Sequence, residues 1–255
     1  DPRAGPPADS TFPIQPYRST LSLTDISRPS LVAGSGSFGT YVGGGASLYF
    51  SDILGNLNLV TGLQVEGTLK DVFALVAYQN LRHRLNWGVV AQQVPYLTGD
   101  YNEGLSDLNG ETVFVQQQLL QRQTNRDFAF QLSYPFSQVR RLDFSTGYSN
   151  ISFSQELQTV AFDATTGEQV LSDKENLPAG SALHLGVASA ALVYDNSFFG
   201  ATAPILGERY RLEVTPTVGS LSYVGVLADY RKYFMPVRPF TLAVRVLHYG
   251  RYGSG

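Results

Sequence analysis

Three histidines are the residues of this chain best suited to metal binding or acid–base catalysis. His83, His184 and His248 lie far apart in the sequence. A metal site needs ligands that converge within bonding distance, so we predict neither a metal site nor a histidine-based catalytic site. We interpret the three residues as histidines of a lumen or of a membrane interface.

Two pairs of carboxylates have the residue types of a general acid and a general base. Asp195 and Glu208 form one such pair, and Glu213 and Asp229 form the other. Ion pairs that order the interior of the fold explain these carboxylates better, because four arginines stand near them on the predicted strands: Arg209, Arg211, Arg231 and Arg245. We therefore predict no catalytic residue and do not expect an enzyme.

Glycine-rich segments in the first fifth of the chain do not have the pattern of a phosphate-binding loop. Gly34-Ser35-Gly36 and Gly43-Gly44-Gly45 are followed by neither Gly-Lys-Ser/Thr nor a helical pattern. The sequence has no cysteine, which excludes disulfides, Cys-ligated zinc and thiol catalysis. We expect no cofactor.

The composition indicates a membrane β-barrel. Charged residues make up 15% of the 255 residues, against about 25% in soluble domains, while the hydrophobic fraction of 43% is ordinary. Barrel strands place one face in lipid and the other in a polar lumen, and 15 Tyr and 15 Phe suit the aromatic girdles at both interfaces. The net charge of −3 and the absence of a Lys/Arg cluster argue against nucleic acid as a partner.

The chain divides into two parts by its prolines and its hydrophobic alternation. We predict that residues 1–37 form a proline-rich periplasmic linker, because six prolines favour extended, unpaired backbone: Pro2, Pro6, Pro7, Pro13, Pro16 and Pro29. Residues 38–255 alternate apolar and polar side chains with the period of a strand, and helical spacing is hard to find. In 127–136, for example, Phe128, Phe130 and Leu132 alternate with Ala129, Gln131 and Ser133.

Crossings of about 9 to 11 residues give eleven predicted strands: 41–52, 57–67, 71–81, 86–97, 111–123, 127–136, 140–154, 181–195, 208–218, 222–235 and 239–250. Bacterial single-chain barrels have even strand numbers. The fold class is therefore all-β, an antiparallel transmembrane β-barrel of which the chain holds an incomplete part. The long connection 155–180 is assigned to the extracellular side and the turn at 235–239 to the periplasm, although 98–110 is then long for a periplasmic connection.

Charged residues on the polar parity of the last strands would face the lumen. We predict that six of them set the charge of the barrel interior: Arg209, Arg211, Glu213, Asp229, Arg231 and Arg245. Charges in such positions control which solutes pass through a channel.

A motif of about 40 residues resembles the barrel of the BamA/TamA-type outer-membrane assembly superfamily, the bacterial surface antigen type. It consists of Tyr194-Asp195-Asn196, then Gly207 through Leu212, then Asp229 through Tyr233. The resemblance implies a sixteen-stranded barrel, of which 239–250 would be strand eleven, and it makes Asp195, Asn196 and Gly207 a family-motif turn. Asp and Asn also favour turns for structural reasons alone.

Other parts of the family pattern differ. The Val-Arg-Gly-aromatic motif would follow Gly255 and is absent, as are periplasmic transport-associated repeats. The opening Pro16-Tyr17-Arg18 resembles the linker of related barrels fused behind a periplasmic β-propeller. The resemblance further implies a lateral seam at the first strand, where Gly43, Gly44 and Gly45 would weaken pairing. A flat lumen-facing patch or a bulge is the alternative role of these glycines.

The leading hypothesis is an outer-membrane β-barrel of a Gram-negative-type bacterium that acts in insertion, secretion or surface display of proteins. Its expected partners are outer-membrane lipid, client or secreted proteins, and an upstream fused periplasmic domain. A passive outer-membrane channel for small solutes is the first alternative, and a soluble β-sandwich or adhesin is the second.

Overall fold

The computed structural model describes residues 16–36, 38–108 and 110–253, and those residues form strands, turns and no helix. The strands are β1 (Ser22–Ile26), β2 (Ser30–Gly36), β3 (Gly39–Ser51), β4 (Leu57–Glu66), β5 (Thr68–Asn80), β6 (Asn86–Leu108), β7 (Glu111–Pro135), β8 (Arg140–Asp163), β9 (Gln169–Leu177), β10 (Leu183–Asp195), β11 (Phe198–Phe199), β12 (Pro204–Gly219), β13 (Tyr223–Val237) and β14 (Phe240–Tyr252).

The fourteen strands form one antiparallel sheet. Its main path runs β1-β3-β4-β5-β6-β7-β8-β10-β12-β13-β14, while β2, β9 and β11 pair with β3, β8 and β12. The predicted all-β antiparallel class is confirmed. The sheet is open, because within the described residues β14 pairs with β13 alone and β1 and β2 pair with β3 alone.

The predicted proline-rich linker contains two strands. β1 and β2 lie one after the other along the same side of β3, so they act as one broken strand that runs the length of β3. Pro29 lies in the break, where its missing N–H costs no ladder hydrogen bond. The sheet therefore begins at Ser22 rather than at residue 41, and the prediction that 1–37 is a linker is wrong for 22–36; residues 1–15 lie outside the described part.

The predicted strands 111–123 and 127–136 are one strand. β7 has 25 residues and stays in unbroken register with β8, so Thr124 and Asn125 pair across the strands where a turn was expected. β6 likewise continues to Leu108 through the predicted loop 98–110, since every residue from Asn86 to Leu108 has a partner on β7. The main path holds eleven strands, the same number as predicted. The prediction reached this number because it omitted β1 and divided β7 into two strands.

The continuous β7 removes the conflict over loop lengths. The β6–β7 and β8–β9 connections lie at the same end of the sheet, where both hairpins extend beyond their neighbours. We use the name extension for four strand segments taken together: residues 94–108 of β6, residues 111–124 of β7, residues 152–163 of β8, and all of β9. The predicted long loop 155–180 is mostly strand, since it contains the end of β8 and all of β9. The opposite end has short connections at 52–56, 81–85 and 136–139, and a longer one at 196–203 that contains β11.

Little of the sheet is buried in a common core. None of the described large side chains is fully buried, and the buried apolar residues are spread over several strands: Leu57, Val113, Val160, Ala161, Leu185, Ala191 and Val193. Two packed sheets would bury the inner face of each one. This single sheet leaves most of its large apolar side chains accessible.

Candidate functional site

The strands have a polar face and an apolar face, which β8 illustrates. Arg141, Asp143 and Ser145 point to the polar face, and Leu142 and Phe144 to the apolar face, because successive side chains alternate. Cross-strand pairing keeps each face continuous from one strand to the next. On the polar face, Asp143 of β8 pairs with Ala191 of β10, and Ala191 pairs with Glu213 of β12.

The polar face is concave. A cavity of about 760 Å³ is lined by residues of seven strands from β4 to β12, among them Asn58, Gln79, Gln131, Ser133, Asp143, Ser189 and Glu213. Ser145 and Ser189 share a hydrogen bond of 2.7 Å between their hydroxyls on this face. The sheet therefore curls around its polar side chains.

Two groups of ion pairs, which together we call the ion-pair ladder, lie on the concave face between β8 and β14. At one end, Arg211 Nε lies 2.6 Å from Glu213 Oε2 and Arg211 Nη1 lies 3.3 Å from Asp143 Oδ2. Arg141 Nε donates to the same Asp143 carboxylate at 3.2 Å. Arg211 thus joins two strands that are separated by β10, and it makes the curl of the sheet electrostatically favourable.

Asp229 is the centre of the other end of the ladder. Arg231 Nη2 donates to its Oδ2 at 2.7 Å, and Arg245 Nη2 on the neighbouring strand donates to the same oxygen at 2.9 Å. Both arginines also donate through Nε to Oδ1, so each pair is bidentate. Arg209, Arg231 and Arg245 are cross-strand neighbours in one row.

All six predicted lumen charges lie on the concave face, and the ladder includes two further residues. Arg141 and Asp143 were missed although they occupy the polar parity of a predicted strand. Their signal was present in the alternation of 140–154, but the contact with Arg211 depends on strands 68 residues apart. The local alternation therefore predicts the strand but not this long-range pairing.

The apolar face is exposed across the sheet. Phe128, Phe144, Leu212 and Val246 are among its accessible side chains, and Phe128 has 55% of its surface exposed. Trp87 lies between Tyr78 and Phe130, with ring centroids 5.3 and 6.3 Å away. Large exposed apolar patches are typical of protein or membrane interaction sites and of ligand-binding grooves.

Aromatic side chains lie at both ends of the apolar face, and at one end they form a row across three strands. Tyr194, Tyr210 and Tyr230 are cross-strand neighbours at the short-turn end, where Tyr194 and Tyr210 stack with centroids 5.2 Å apart. The guanidinium of Arg140 lies 5.4 Å from the Tyr194 ring centroid. This row separates the apolar side chains from the charged residues beyond it, as Tyr does at a membrane interface.

At the other end, two histidines pair with tyrosines. The Tyr148 hydroxyl lies 2.5 Å from His184 Nδ1, and His248 Nε2 lies 2.9 Å from the Tyr252 hydroxyl. His83 is in the short turn 81–85, so the structure keeps the three histidines apart. Within the described residues, no group of three or more His, Asp or Glu side chains is arranged to hold a metal ion.

The predicted family-motif turn is a close backbone crossing. Asp195 accepts hydrogen bonds from the Ser197 N–H and hydroxyl, and the Asn196 N–H donates to the Glu208 carbonyl at 2.9 Å. Gly207 has φ = 97°, and a Cβ added there would lie 2.0 Å from the Asn196 carbonyl oxygen. The three residues therefore meet in one site, whose glycine is required by conformation and by space.

Gly43, Gly44 and Gly45 are interior to the sheet. They pair with Glu66, Val65 and Gln64 on β4 and with Val32, Leu31 and Ser30 on β2. A Cβ at Gly45 would lie 2.7 Å from the Leu63 carbonyl oxygen, so close approach of backbone explains a glycine here. The free edge expected at these glycines belongs instead to β1 and β2.

A buried ion pair ties the extension to β5. Arg122 on β7 donates to Asp71 through Nε and, at 3.0 Å, through Nη2, and both side chains are only 7% exposed. Next to it, Arg126 donates to Gln93, Asn150 and Ser152. No local sequence pattern predicts this polar cluster, because Asp71 and Arg122 are 51 residues apart and β5 does not pair with β7.

The segment before β1 is attached to a short turn. The Tyr17 hydroxyl donates to Asp52, and the Leu57 N–H donates to the same carboxylate at 3.0 Å. Burial opposes ionisation of Asp52, but these hydrogen bonds outweigh it and lower the pKa of the carboxyl. Tyr17 belongs to the Pro16-Tyr17-Arg18 sequence, which is thus fixed to the end of the sheet.

Comparisons with known proteins add no assignment. No protein-family model, no curated protein and no solved structure matches the chain. None of the described residues belongs to a helix long and apolar enough to cross a membrane.

Proposed function

We propose that this chain forms the wall of an outer-membrane β-barrel of the BamA-like superfamily, which acts in the insertion, secretion or surface display of proteins. One observation carries the proposal: a single curved sheet exposes an apolar face on one side and encloses an ion-pair ladder on the other. Lipid outside and water inside are the solvents that these two faces require.

The height of the apolar face supports this assignment. On β8 it extends between two polar residues of the same face, Arg140 and Asn150. Ten residue steps at about 3.3 Å cover about 33 Å along the strand, and a tilt of 35–45° reduces this to the roughly 25 Å band of an outer-membrane barrel. The row of Tyr194, Tyr210 and Tyr230 stands at one limit of that band, and the pair of Tyr148 and His184 stands at the other.

The two ends of the sheet give the barrel an orientation. Periplasmic turns are short and extracellular hairpins are long in such barrels. The short connections at 52–56, 81–85 and 136–139 then face the periplasm, where the Tyr17 segment also lies. The extension and Asp163 in the β8–β9 turn face the exterior.

The role in protein assembly or export rests on the family resemblance. In support, Asp195, Asn196 and Gly207 meet in one turn, and the main path of the sheet has eleven strands, the last of which is β14. The open edge formed by β1 and β2 is the position at which a lateral seam at the first strand would form, in place of the three glycines of β3.

The ion-pair ladder favours a second candidate, a passive channel for small solutes. Arg211 and Asp229 stand on the concave face with accessible partners, as selectivity-determining charges do in porins. Because Arg211, Arg231 and Arg245 are paired with carboxylates, this face would exclude charged solutes less strongly than a ring of charges of one sign.

Reconstitution of the polypeptide into lipid vesicles, followed by flotation and by planar-bilayer conductance, tests both candidates. Insertion with closed or erratic conductance supports the assembly-type barrel. Large steady pores, with an ion selectivity that changes in Arg211→Gln and not in the extension variant Asp173→Asn, would replace it with the channel. A polypeptide that remains soluble and monomeric without lipid would contradict both and favour the soluble alternative.

A further inference from the structure

The extension has a long free strand edge within the sheet. β5 pairs with β6 only between Trp87 and Gln93, whereas β6 continues to Leu108. From residue 94 onward, β6 pairs with β7 alone, so its other side has no strand partner among the described residues. Side chains from Tyr96 to Leu108 are all exposed.

This edge has few of the features that normally prevent strand addition. Proteins protect free edges with charged side chains, especially lysines, and with prolines or bulges. Pro95 stands at the start of the edge, but residues 96–108 contain no lysine, arginine or proline, their charged side chains are all carboxylates, and the β6–β7 register is continuous through all 23 pairs. β9, the opposite edge of the extension, has Lys174 and an irregular register at Phe162.

The side chains of the edge indicate the chemistry of a partner. Asp100, Glu103 and Asp107 give it three negative charges, and the nearest arginine on β7, Arg122, is already paired with Asp71. Tyr101 and Leu105 add apolar surface and are 53% and 71% exposed. Phe38 contacts the Tyr101 ring from the side of the β2–β3 hairpin, at 6.2 Å between centroids.

We infer that the β6 edge, from Tyr96 to Leu108, binds a basic, extended polypeptide segment by adding it as a further strand of the extension. Main-chain hydrogen bonds would supply the affinity, and the three carboxylates would select lysine- and arginine-rich sequences. The edge lies beyond the apolar band, so this inference does not depend on the proposed function.

The test uses the full chain in detergent micelles and a twelve-residue peptide that alternates lysine and valine. We expect saturable binding that protects backbone amides of 96–108 from hydrogen exchange. Raising the salt concentration tenfold should weaken binding at least fivefold, because exposed charges are screened. D100K/E103K should weaken it at least tenfold, and the matched β9 variant D173K/E175K should leave it unchanged.

Two further peptides test the mode of binding on the unaltered protein, so the result does not depend on the folding of a variant. The same peptide with N-methyl groups on alternate backbone amides should lose binding at least tenfold, and an alternating glutamate–valine peptide should not bind. Equal binding of either peptide, no binding of the basic one, or protection confined to β1, β9 or β14 would overturn the inference. Flotation of the protein with lipid would be unaffected by any of these results.

Discussion

Gly207 shows how much of the site is decided by single residues. Its backbone adopts φ = 97° in a strand that passes directly over Asn196. The sequence motif predicted a turn at Asp195 and Asn196 but not the reason for the glycine, which is a contact between backbones eleven residues apart in the chain. A side chain there would be strained in conformation and would collide with the Asn196 carbonyl.

Gly207→Ala is expected to lower the free energy of unfolding by about 1–3 kcal/mol or more, the cost of a non-glycine residue at such a conformation plus the displacement of Asn196. Denaturant titration followed by Trp87 fluorescence measures the change. Gly104→Ala is the control, because Gly104 has ordinary φ and no atom within 4 Å of an added Cβ. Equal effects of the two substitutions would contradict the role assigned to Gly207.

Asp163 controls the β8–β9 turn at the same scale. The N–H groups of Thr166 and Thr165 donate to its carboxylate, each at 2.7 Å, and they lower its pKa below the ordinary 3.8. A lowered pKa means that the stabilisation is complete above pH 3.8 and is lost as the pH falls through the lower pKa of the folded state.

The Thr165 and Thr166 amides should therefore keep their protection from hydrogen exchange down to about pH 4 and lose it below that pH. Asp163→Asn cannot ionise and should show no such step between pH 5 and 2. A step of the same size in both proteins would show that another group controls the turn.

At the scale of elements, the alternation of apolar and polar residues predicted strands well and their ends poorly. Thr124-Asn125-Arg126 resembled a break because three polar residues interrupt the apolar parity. In the structure, β7 passes at these residues from the extension to the part of the sheet with the apolar face. The polar residues therefore mark the boundary between these two regions and not a turn. β1 and β2 were missed because proline and glycine content outweighed their short apolar alternation.

The Asp71–Arg122 pair fixes the extension to β5. Asp71→Asn removes one charge from a buried pair and is expected to reduce the free energy of unfolding by about 3–5 kcal/mol. Replacing both residues, as in D71L/R122M, should cost less than the single substitution because no uncompensated charge remains buried. Denaturant titration compares the three proteins, and a double variant less stable than Asp71→Asn would contradict this account.

At the scale of the whole molecule, composition and parity predicted a two-faced antiparallel sheet, and local sequence could not place its charges opposite one another. The six predicted lumen residues all lie on the concave face. This could be predicted because the face on which a side chain lies depends only on its position within its own strand. Their partners, including Arg141 and Asp143, depend on the order and curvature of strands across the sheet. The open edges also follow from topology, which no single strand pattern contains.

The central claim is that the apolar face contacts lipid and the concave face contacts water. The sequence has no cysteine, so single cysteines on β8 can each carry a spin label in vesicle-reconstituted protein. Labels at Leu142, Phe144 and Thr146 should be accessible to oxygen dissolved in the bilayer, and labels at Ser145 and Ser149 to a water-soluble nickel complex. The account predicts alternation between neighbouring positions; uniform accessibility to the nickel complex along β8 would contradict it.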